Sequence, residues 1–523
     1  MALFSIKKRE WFFRTGMAVL FFVCAALVST ASAPYAQAQE AAVAPAKPLT
    51  LGDVKEKIAG IPERYAFTVG DITEEAAGRR LILKQVAFTL PHDAVPCSVS
   101  MERIVAEGLA FTEENGAPHL LADKLTITGL KTTGKDFDTL SEHLVLSGFN
   151  IDLNVGPSAW GRYARFEAFL FVELADMLLE GIPAPDKSKE PFPFPYMSSG
   201  YFSRNETSSA RYGENVTRIS IDSTSFENAR DNPLGPLRLN GLRADRNGRE
   251  FLSVVGLGFD LVAFPGKGAM NDNFEVLFQG KDIFASEFQL KNCFIKEMAL
   301  TTILPDGEPS VISLARLGMD MGNTDKQRNI SVAVDRFAVA KKLLFSKVKE
   351  QGYTALPAML DPLIPETLVW DFQTVLGVSP LENGQAQAVI SPLALSIENL
   401  GSASLRATMQ GEMDDWRNAS VSHMALDVTD LGLSEVFFTL AKESPEKGTA
   451  AFRQEIRMGI SSAALVLQGS IAKLNADLAE FLKGPGATLR MTVAPQKPIS
   501  AITMETIITQ PESLGLSSSV ERK

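Results

Sequence analysis

Histidine and cysteine are scarce in this sequence, with four His and three Cys among 523 residues. His92, His119, His143 and His423 have no metal-ligating neighbour at helical spacing, and the H-E-x-x-H motif is absent. The G-x-S-x-G nucleophile elbow, the Walker loop and a complete dinucleotide-binding glycine loop are absent too. We therefore predict no catalytic residue, no cofactor-binding residue and no metal site.

Two partial matches to known motifs do not change this prediction. Ser444-Pro-Glu-Lys447 has the S-x-x-K spacing, but the K-T-G and S-D-N partner motifs are missing. The acidic pairs Asp414-Asp415 and Asp320 with Asp325 do not follow the twelve-residue calcium loop. We interpret both kinds of segment as solvated turns.

Excess positive charge is also lacking, since the formal net charge is −11. Residues 1–38 contain four basic residues and one Glu, a net charge of +3, so the rest of the chain carries −14. An acidic body is repelled by phosphate backbones, which argues against a nucleic-acid partner.

The N-terminus has the order of a secretory signal peptide. Basic residues precede the uncharged stretch Met17 to Val28, and Ala-x-Ala sequences follow at Ala31–Ala33 and Ala36–Ala38. We predict a signal peptide over residues 1–38, cleaved after Ala38, and a periplasmic or extracellular mature protein. The alternative is an uncleaved anchor, in which case the protein is associated with a membrane.

Beyond this segment only Cys97 and Cys293 remain. In an oxidising compartment the two can form a disulfide. Both have apolar neighbours, so the alternative is two buried thiols in strands.

One strand pattern recurs at irregular spacing: an apolar-x-apolar pair, a polar or small residue, and then Gly, Asn or Asp. It predicts strands with one apolar face that are kinked or bulged at the Gly or Asn. These apolar faces either form a core or leave an open concavity for apolar cargo. The copies are Leu125–Leu130, Leu144–Phe149, Leu237–Leu242, Phe288–Cys293 and Leu426–Leu431.

Helical periodicity appears between the strands, so the predicted fold class is α+β. We expect it to be strand-dominated, with long antiparallel sheets of amphipathic strands and helices in the middle and at the C-terminus. The predicted organisation is a signal peptide (1–38), an N-terminal α+β region (39–181), a Pro-rich linker (182–200), a β-rich region (201–335) and a C-terminal α+β region (336–523). The predicted helices are Leu51–Ile61, Trp160–Glu180, Arg336–Gln351, Ser434–Lys442, Thr449–Met458 and Ile471–Lys483.

The last third of the chain resembles a known style of protein. It contains a Trp-bearing strand from Leu368 to Val375, alternating strands over Ala386–Ile397, a helix pair and the ending Phe481-Leu-Lys-Gly-Pro485. This region resembles uncharacterised exported proteins of Proteobacteria that are loosely AsmA-like or YdgA-like. The resemblance implies a cell-envelope role that handles lipid or outer-membrane components, and it carries over no site residue.

The expected function is therefore that of an exported cell-envelope protein without a catalytic site, either structural or a carrier of apolar or lipid cargo. Its expected partners are lipids or other envelope proteins. Phe is abundant (32) beside Tyr (7), which suits a dry core or an apolar groove. The alternative is an exported hydrolase with an unrecognised active site.

Overall fold

The computed structural model divides the chain into two compact units, unit 1 (Met1–Phe288) and unit 2 (Gln289–Lys523). Strands dominate both units, which confirms the predicted strand-rich α+β class. The predicted division at residues 181, 200 and 335 stays a prediction. The structure describes residues 47–60, 63, 66–75, 80–90, 97–114, 117–134, 137–152, 199–212, 215–227, 235–263, 289–324, 327–350, 352–381, 384–412, 415–441, 448–464, 469–499 and 511–522.

In unit 1 the described elements are one helix and twelve strands. The predicted helix near residue 51 is confirmed as α1 (Leu51–Ala59), whereas the predicted helix Trp160–Glu180 lies outside the described residues. The strands are β1 (Lys47–Pro48), β2 (Asp71–Glu75), β3 (Arg80–Leu90), β4 (Cys97–Glu107), β5 (Ala110–Glu114), β6 (Ala117–Thr133), β7 (Phe137–Asp152), β8 (Ser199–Tyr212), β9 (Asn215–Glu227), β10 (Leu237–Arg246), β11 (Arg249–Phe259) and β12 (Leu261–Ala263).

The strands of unit 1 form an antiparallel meander. Each strand from β6 to β10 pairs with the next one in the chain, and β2, β3 and β4 pair in the same way. β4 and β5 both pair with β6, on either side of Gly108. Gly108 has a φ of 64°, so a residue in the left-handed conformation separates β4 from β5 along one side of β6.

The recurrent strand pattern supplies the core of unit 1. Leu125 pairs with Leu146 and Ile127 pairs with Leu144 across β6 and β7, so all four side chains share one face. Each is at most 9 % exposed, and Leu237 and Leu239 on β10 are also buried. At these six positions the apolar face is core, so of the two alternatives the covered one holds there.

In unit 2 the described elements are five helices, a short 3₁₀ helix and nine strands. The helices are α2 (Lys341–Glu350), α3 (Leu356–Leu360), α4 (Leu433–Ala441), α5 (Thr449–Ala464) and α6 (Gly469–Phe481), and the 3₁₀ helix spans Pro511–Leu514. The strands are β13 (Gln289–Ile303), β14 (Pro309–Thr324), β15 (Gln327–Ala340), β16 (Thr367–Pro380), β17 (Gln385–Ile397), β18 (Gly401–Glu412), β19 (Asp415–Asp430), β20 (Ala487–Val493) and β21 (Leu516–Arg522).

Unit 2 is also an antiparallel meander, in which β13 to β21 pair in chain order. The helices enter as two insertions, α2 and α3 between β15 and β16, and α4 to α6 between β19 and β20. The three predicted C-terminal helices are thus confirmed. The predicted helix Arg336–Gln351 is wrong over its first five residues, because β15 continues to Ala340 before α2 begins.

The predicted irregularities in the strands are present. Gly129, Gly148, Gly241 and Asn292 have φ values of 64°, 58°, 65° and 48°, the left-handed conformation that Gly and Asn tolerate best. The fifth copy of the pattern behaves differently, since Asp430 ends β19 and does not have a positive φ. Among the described helices, none is both long and apolar enough to cross a membrane.

Candidate functional site

The two cysteines singled out by the sequence lie in different units. Cys97 is the first residue of β4, and its side chain lies outside the described part of the structure. Cys293 lies in β13 and is 2 % exposed, as expected for a thiol packed in an apolar core. The disulfide between Cys97 and Cys293 therefore stays a prediction.

The polar residues considered for chemistry do not converge where the structure describes them. His423 is exposed on β19, and Asp320 on β14 accepts a hydrogen bond from the backbone N–H of Asn292 at 2.6 Å. Within the described ranges, no group of three or more His, Cys, Asp or Glu side chains is arranged to hold a metal ion. His92, Asp325, Asp414 and the segment 444–447 lie outside those ranges.

One face of the unit 2 sheet is apolar across all nine strands. Residues that pair directly across an antiparallel sheet point to the same side. A single row of paired positions crosses the unit at right angles to the strands, and every position in it is apolar. The row is Ile295, Leu317, Val334, Phe372, Leu395, Ala403, Val428, Leu489 and Val520.

The middle of this apolar face is the part that remains exposed. Leu395 is 45 % exposed and Leu393, two residues earlier on β17, is 38 % exposed, whereas Ile295 and Leu489 nearer the edges are only 4 % and 5 % exposed. Half-buried Phe372 on β16 and Leu405 on β18 pair with the two leucines. We call the surface made by Phe372, Leu393, Leu395 and Leu405 the apolar window.

A bulge in β17 extends this face beyond the window. The pairing register with both neighbouring strands shifts between Ile390 and Leu393. Two residues, Ser391 and Pro392, therefore oppose one residue on each neighbour, and Ile390 and Leu393 point to the same face despite being three residues apart. Ile390 in turn pairs with Leu376 and Ala407, which continues the apolar surface.

Helices limit the window on two sides. Beyond Ile397 and Trp370, residues of α2, α3 and α4 form a core cluster that includes Leu344, Leu360 and Val436. Over β19 to β21, α6 covers the same face through Leu478 and Phe481, which pack against Val428, Leu489 and Val520. The window is thus the stretch of the central strands that neither helical insertion covers.

Ion pairs fix the helices that border the window. At the start of α2, Lys341 Nζ lies 2.7 Å from Glu366 Oε1 and 3.1 Å from Asp361 Oδ1. Hydrogen bonds with Glu366 and then Asp361 raise the pKa of Lys341, which outweighs the opposing effect of burial. α2 is therefore tied to the loop that leads into β16.

A buried polar cluster holds the second insertion. The Asp430 carboxylate, 2 % exposed, accepts hydrogen bonds from the N–H groups of Gly432 and Ser434 at 3.1 and 3.0 Å and from Ser434 Oγ at 2.5 Å. Arg453 of α5 places its Nη2 2.6 Å from Glu435 Oε1 and its Cζ 5.3 Å from the centroid of the Phe438 ring. Asp430 satisfies free N–H groups at the start of α4, which is the work of a helix cap.

Behind the window, the opposite face of β16 to β18 is largely polar. Asp371, Ser396 and Ser402 form one row on that side, and Gln373, Ala394 and Ser404 form the next. Leu393 and Leu395 are therefore exposed on the apolar face, whereas their neighbours along β17, Ala394 and Ser396, lie on the polar face. Sequence reasoning recognised the alternation of β17 but did not select the window, because its exposure depends on where the inserted helices pack.

Comparison with known proteins covers this part of the chain. A family model described as "Uncharacterized protein" matches residues 384–519, which run from the start of β17 into β21. The match includes Leu393, Leu395 and Leu405 of the window and all of α4 to α6. No curated protein matches the chain.

Proposed function

We propose that this is an exported, non-catalytic protein of the cell envelope that binds an apolar chain, such as a lipid acyl chain, at the apolar window. The observation that supports this most directly is the exposure of Leu393 and Leu395 in the middle of an apolar face on which Ile295 and Leu489, nearer the edges, are buried. Covering these side chains removes apolar surface from water, which favours binding of an apolar ligand.

The dimensions of the window suit a narrow ligand. Neighbouring strands lie about 4.8 Å apart, so β16 to β18 span about 10 Å. A single hydrocarbon chain lying along the strands fits this width, with the α2–α4 cluster at one end and the residues under α6 to one side. Its binding needs no charged partner, and among the residues that pair directly with those of the window only Thr374, opposite Leu393, is polar.

The cell-envelope part of the proposal rests on the sequence. Basic residues, the stretch Met17 to Val28 and the Ala36-Gln-Ala38 sequence occur in the order of a signal peptide. The resemblance of the C-terminal third to AsmA-like and YdgA-like exported proteins supports the same location and a lipid-handling role. N-terminal sequencing of the native protein should find a chain that begins near Gln39, and an intact Met1 would favour an anchored protein.

The non-catalytic part rests on what the polar clusters do. Two of the described clusters place a carboxylate beside a serine hydroxyl. Asp430 and Ser434 are engaged at the start of α4, and Asp477 and Ser518 hold α6 against β21 together with Lys473. The first arrangement provides a helix cap and the second a contact between α6 and β21, so we do not favour the exported hydrolase.

Binding of a fluorescent fatty acid, 11-(dansylamino)undecanoic acid, tests the window. Leu395→Asp places a charge in the apolar window, and we expect it to weaken fatty-acid binding by at least about tenfold. Ala394→Asp is the matched control, because it introduces the same charge one residue away on the polar face. Equal binding by the wild-type protein and both variants, or no binding by any of them, would contradict a role for the window.

A further inference from the structure

Helix α4 carries a second exposed apolar surface. Leu433 and Phe437 are four residues apart and share one side of the helix, and Leu431 precedes them in the turn after β19. Their exposed fractions are 37 %, 62 % and 51 %, respectively. We call these three residues the α4 stripe.

The inner side of α4 already has its partners within unit 2. Val436 belongs to the cluster that includes Trp370 and Ile397, and Phe438 packs edge-on against Phe452 of α5 with 6.1 Å between ring centroids. The helix sequence LSEVFFTLA is therefore apolar on both sides, which is the pattern of a helix covered all round. Among the described residues of unit 2, none covers the outer side in this way at the three residues of the stripe.

We propose that the α4 stripe docks on a lipid bilayer surface and inserts Leu431, Leu433 and Phe437 among the lipids. This inference deepens the proposed lipid-binding function and rests on it. It applies whether or not the N-terminal segment is cleaved, because it relies on residues of unit 2 alone.

The charges of α4 and of the whole chain favour a lipid surface that carries no net charge. The one charged residue of α4 is Glu435, and its carboxylate lies 2.6 Å from Arg453 Nη2. The stripe itself is uncharged, so it can enter an apolar layer without burying an unpaired charge. The whole chain is acidic, with a net charge of −11, which favours zwitterionic over anionic lipids.

Area argues against a second copy of the chain as the occupant. If a fully exposed large side chain is taken as roughly 200 Å², the exposed fractions of the stripe amount to about 300 Å². A stable protein interface takes about 800 Å² from each partner. Insertion into a bilayer needs no complementary surface of that size, since each apolar side chain gains from burial on its own.

Position connects the stripe with the apolar window. Val436 of α4 and Ile397 of β17 lie in the same core cluster, and Leu395 of the window lies two residues before Ile397 on the same face. Helix α4 therefore lies at the end of the window, with Val436 facing the window side and the stripe on its outer side.

Flotation of the protein, as purified from its native compartment, with phosphatidylcholine vesicles tests the inference. We expect the wild-type protein to float and Phe437→Ser to lower the bound fraction about tenfold. Ile303→Ser is the matched control, because Ile303 is 56 % exposed in unit 2 but lies at the end of β13, outside the stripe. Both variants should melt within about 2 °C of the wild type, since the changed side chains are exposed.

The window variant separates this inference from the proposed function. Leu395→Asp should float like the wild type, whereas Phe437→Ser should still bind the fluorescent fatty acid in solution. Equal flotation of the wild type and Phe437→Ser, or no flotation of either, would overturn docking through α4. A wild-type dimer that Phe437→Ser dissociates, seen by light scattering, would instead assign the stripe to a second copy.

Discussion

The backbone N–H of Arg336 on β15 donates a hydrogen bond of 2.7 Å to Asp371 Oδ1 on β16. Arg336 has a φ of 50°, and the pairing register shifts between Val334 and Phe337, so that Asp335 and Arg336 together oppose Asp371. The same arrangement occurs where Asn292 opposes Asp320, with a hydrogen bond of 2.6 Å. At each bulge a carboxylate replaces the carbonyl that the strand ladder no longer provides.

Asp371→Ala should therefore lower the free energy of unfolding by about 1–2 kcal/mol, since it leaves the Arg336 N–H without this acceptor. Urea denaturation measures the change. Gln373→Ala is the control, because Gln373 is also exposed on the polar face of β16. It should stay within about 0.5 kcal/mol of the wild type, and an equal loss in both variants would show that the carboxylate has no particular role.

Substitution of two glycines, one on β10 and one in the turn between β10 and β11, distinguishes backbone strain from steric conflict. Gly241 has a φ of 65°, and a Cβ there would lie 1.9 Å from Asp222 Oδ2. Gly248 has a φ of 76° with nothing within 4 Å of the same position. Gly248→Ala should cost about 1 kcal/mol from the left-handed backbone alone, and Gly241→Ala about 1–3 kcal/mol more. Equal thermal shifts in the two variants would contradict a close approach at Gly241.

The sequence predicted strand irregularities where the left-handed residue is Gly or Asn, because these residues reveal their backbone preference locally. Gly129, Gly241 and Asn292 were identified in this way. Arg336 was instead assigned to a helix, since its conformation depends on Asp371, which lies 35 residues later in the chain. A hydrogen bond between residues so far apart in the chain produces no pattern in the sequence around Arg336.

The same distinction applies to the candidate site. The alternation of β17 placed Leu393 and Leu395 on one face of a strand, and a period of two is visible in the sequence. Which part of that face stays exposed depends on α2, α3 and α6, whose packing is a property of the tertiary structure. For the same reason the sequence left open whether the unit 1 leucines form a core or border a concavity, because their strand pattern is the same whether they are covered or exposed.

The cap on α4 gives a third prediction. Asp430→Ala removes the acceptor of three hydrogen bonds at a buried position and should destabilise the protein by about 2–4 kcal/mol. Asp427→Ala is the control, because Asp427 lies on the same strand with its side chain 43 % exposed and 3.8 Å from Arg490. Its loss should stay below about 1 kcal/mol. Thermal unfolding measures both losses, and similar destabilisation in the two variants would count against the cap.

The contact between α6 and β21 should make stability depend on pH. Asp477 Oδ2 accepts hydrogen bonds from Lys473 Nζ at 2.8 Å and from Ser518 Oγ at 2.6 Å. Burial acts to raise the pKa of Asp477, but the hydrogen bonds from Lys473 and Ser518, together with the charge of Lys473, outweigh it and hold the pKa below its usual value.

Because the pKa of Asp477 is lower in the folded than in the unfolded protein, the contact stabilises the fold fully above about pH 4 and progressively less as the pH falls. Asp477→Asn removes the ionised group and should lower the melting temperature at neutral pH. The difference between the wild type and this variant should shrink as the pH is lowered from 7 to 3, since protonation removes the same charge from the wild type. A difference that stays constant over this range would show that the charge of Asp477 does not stabilise the contact between α6 and β21.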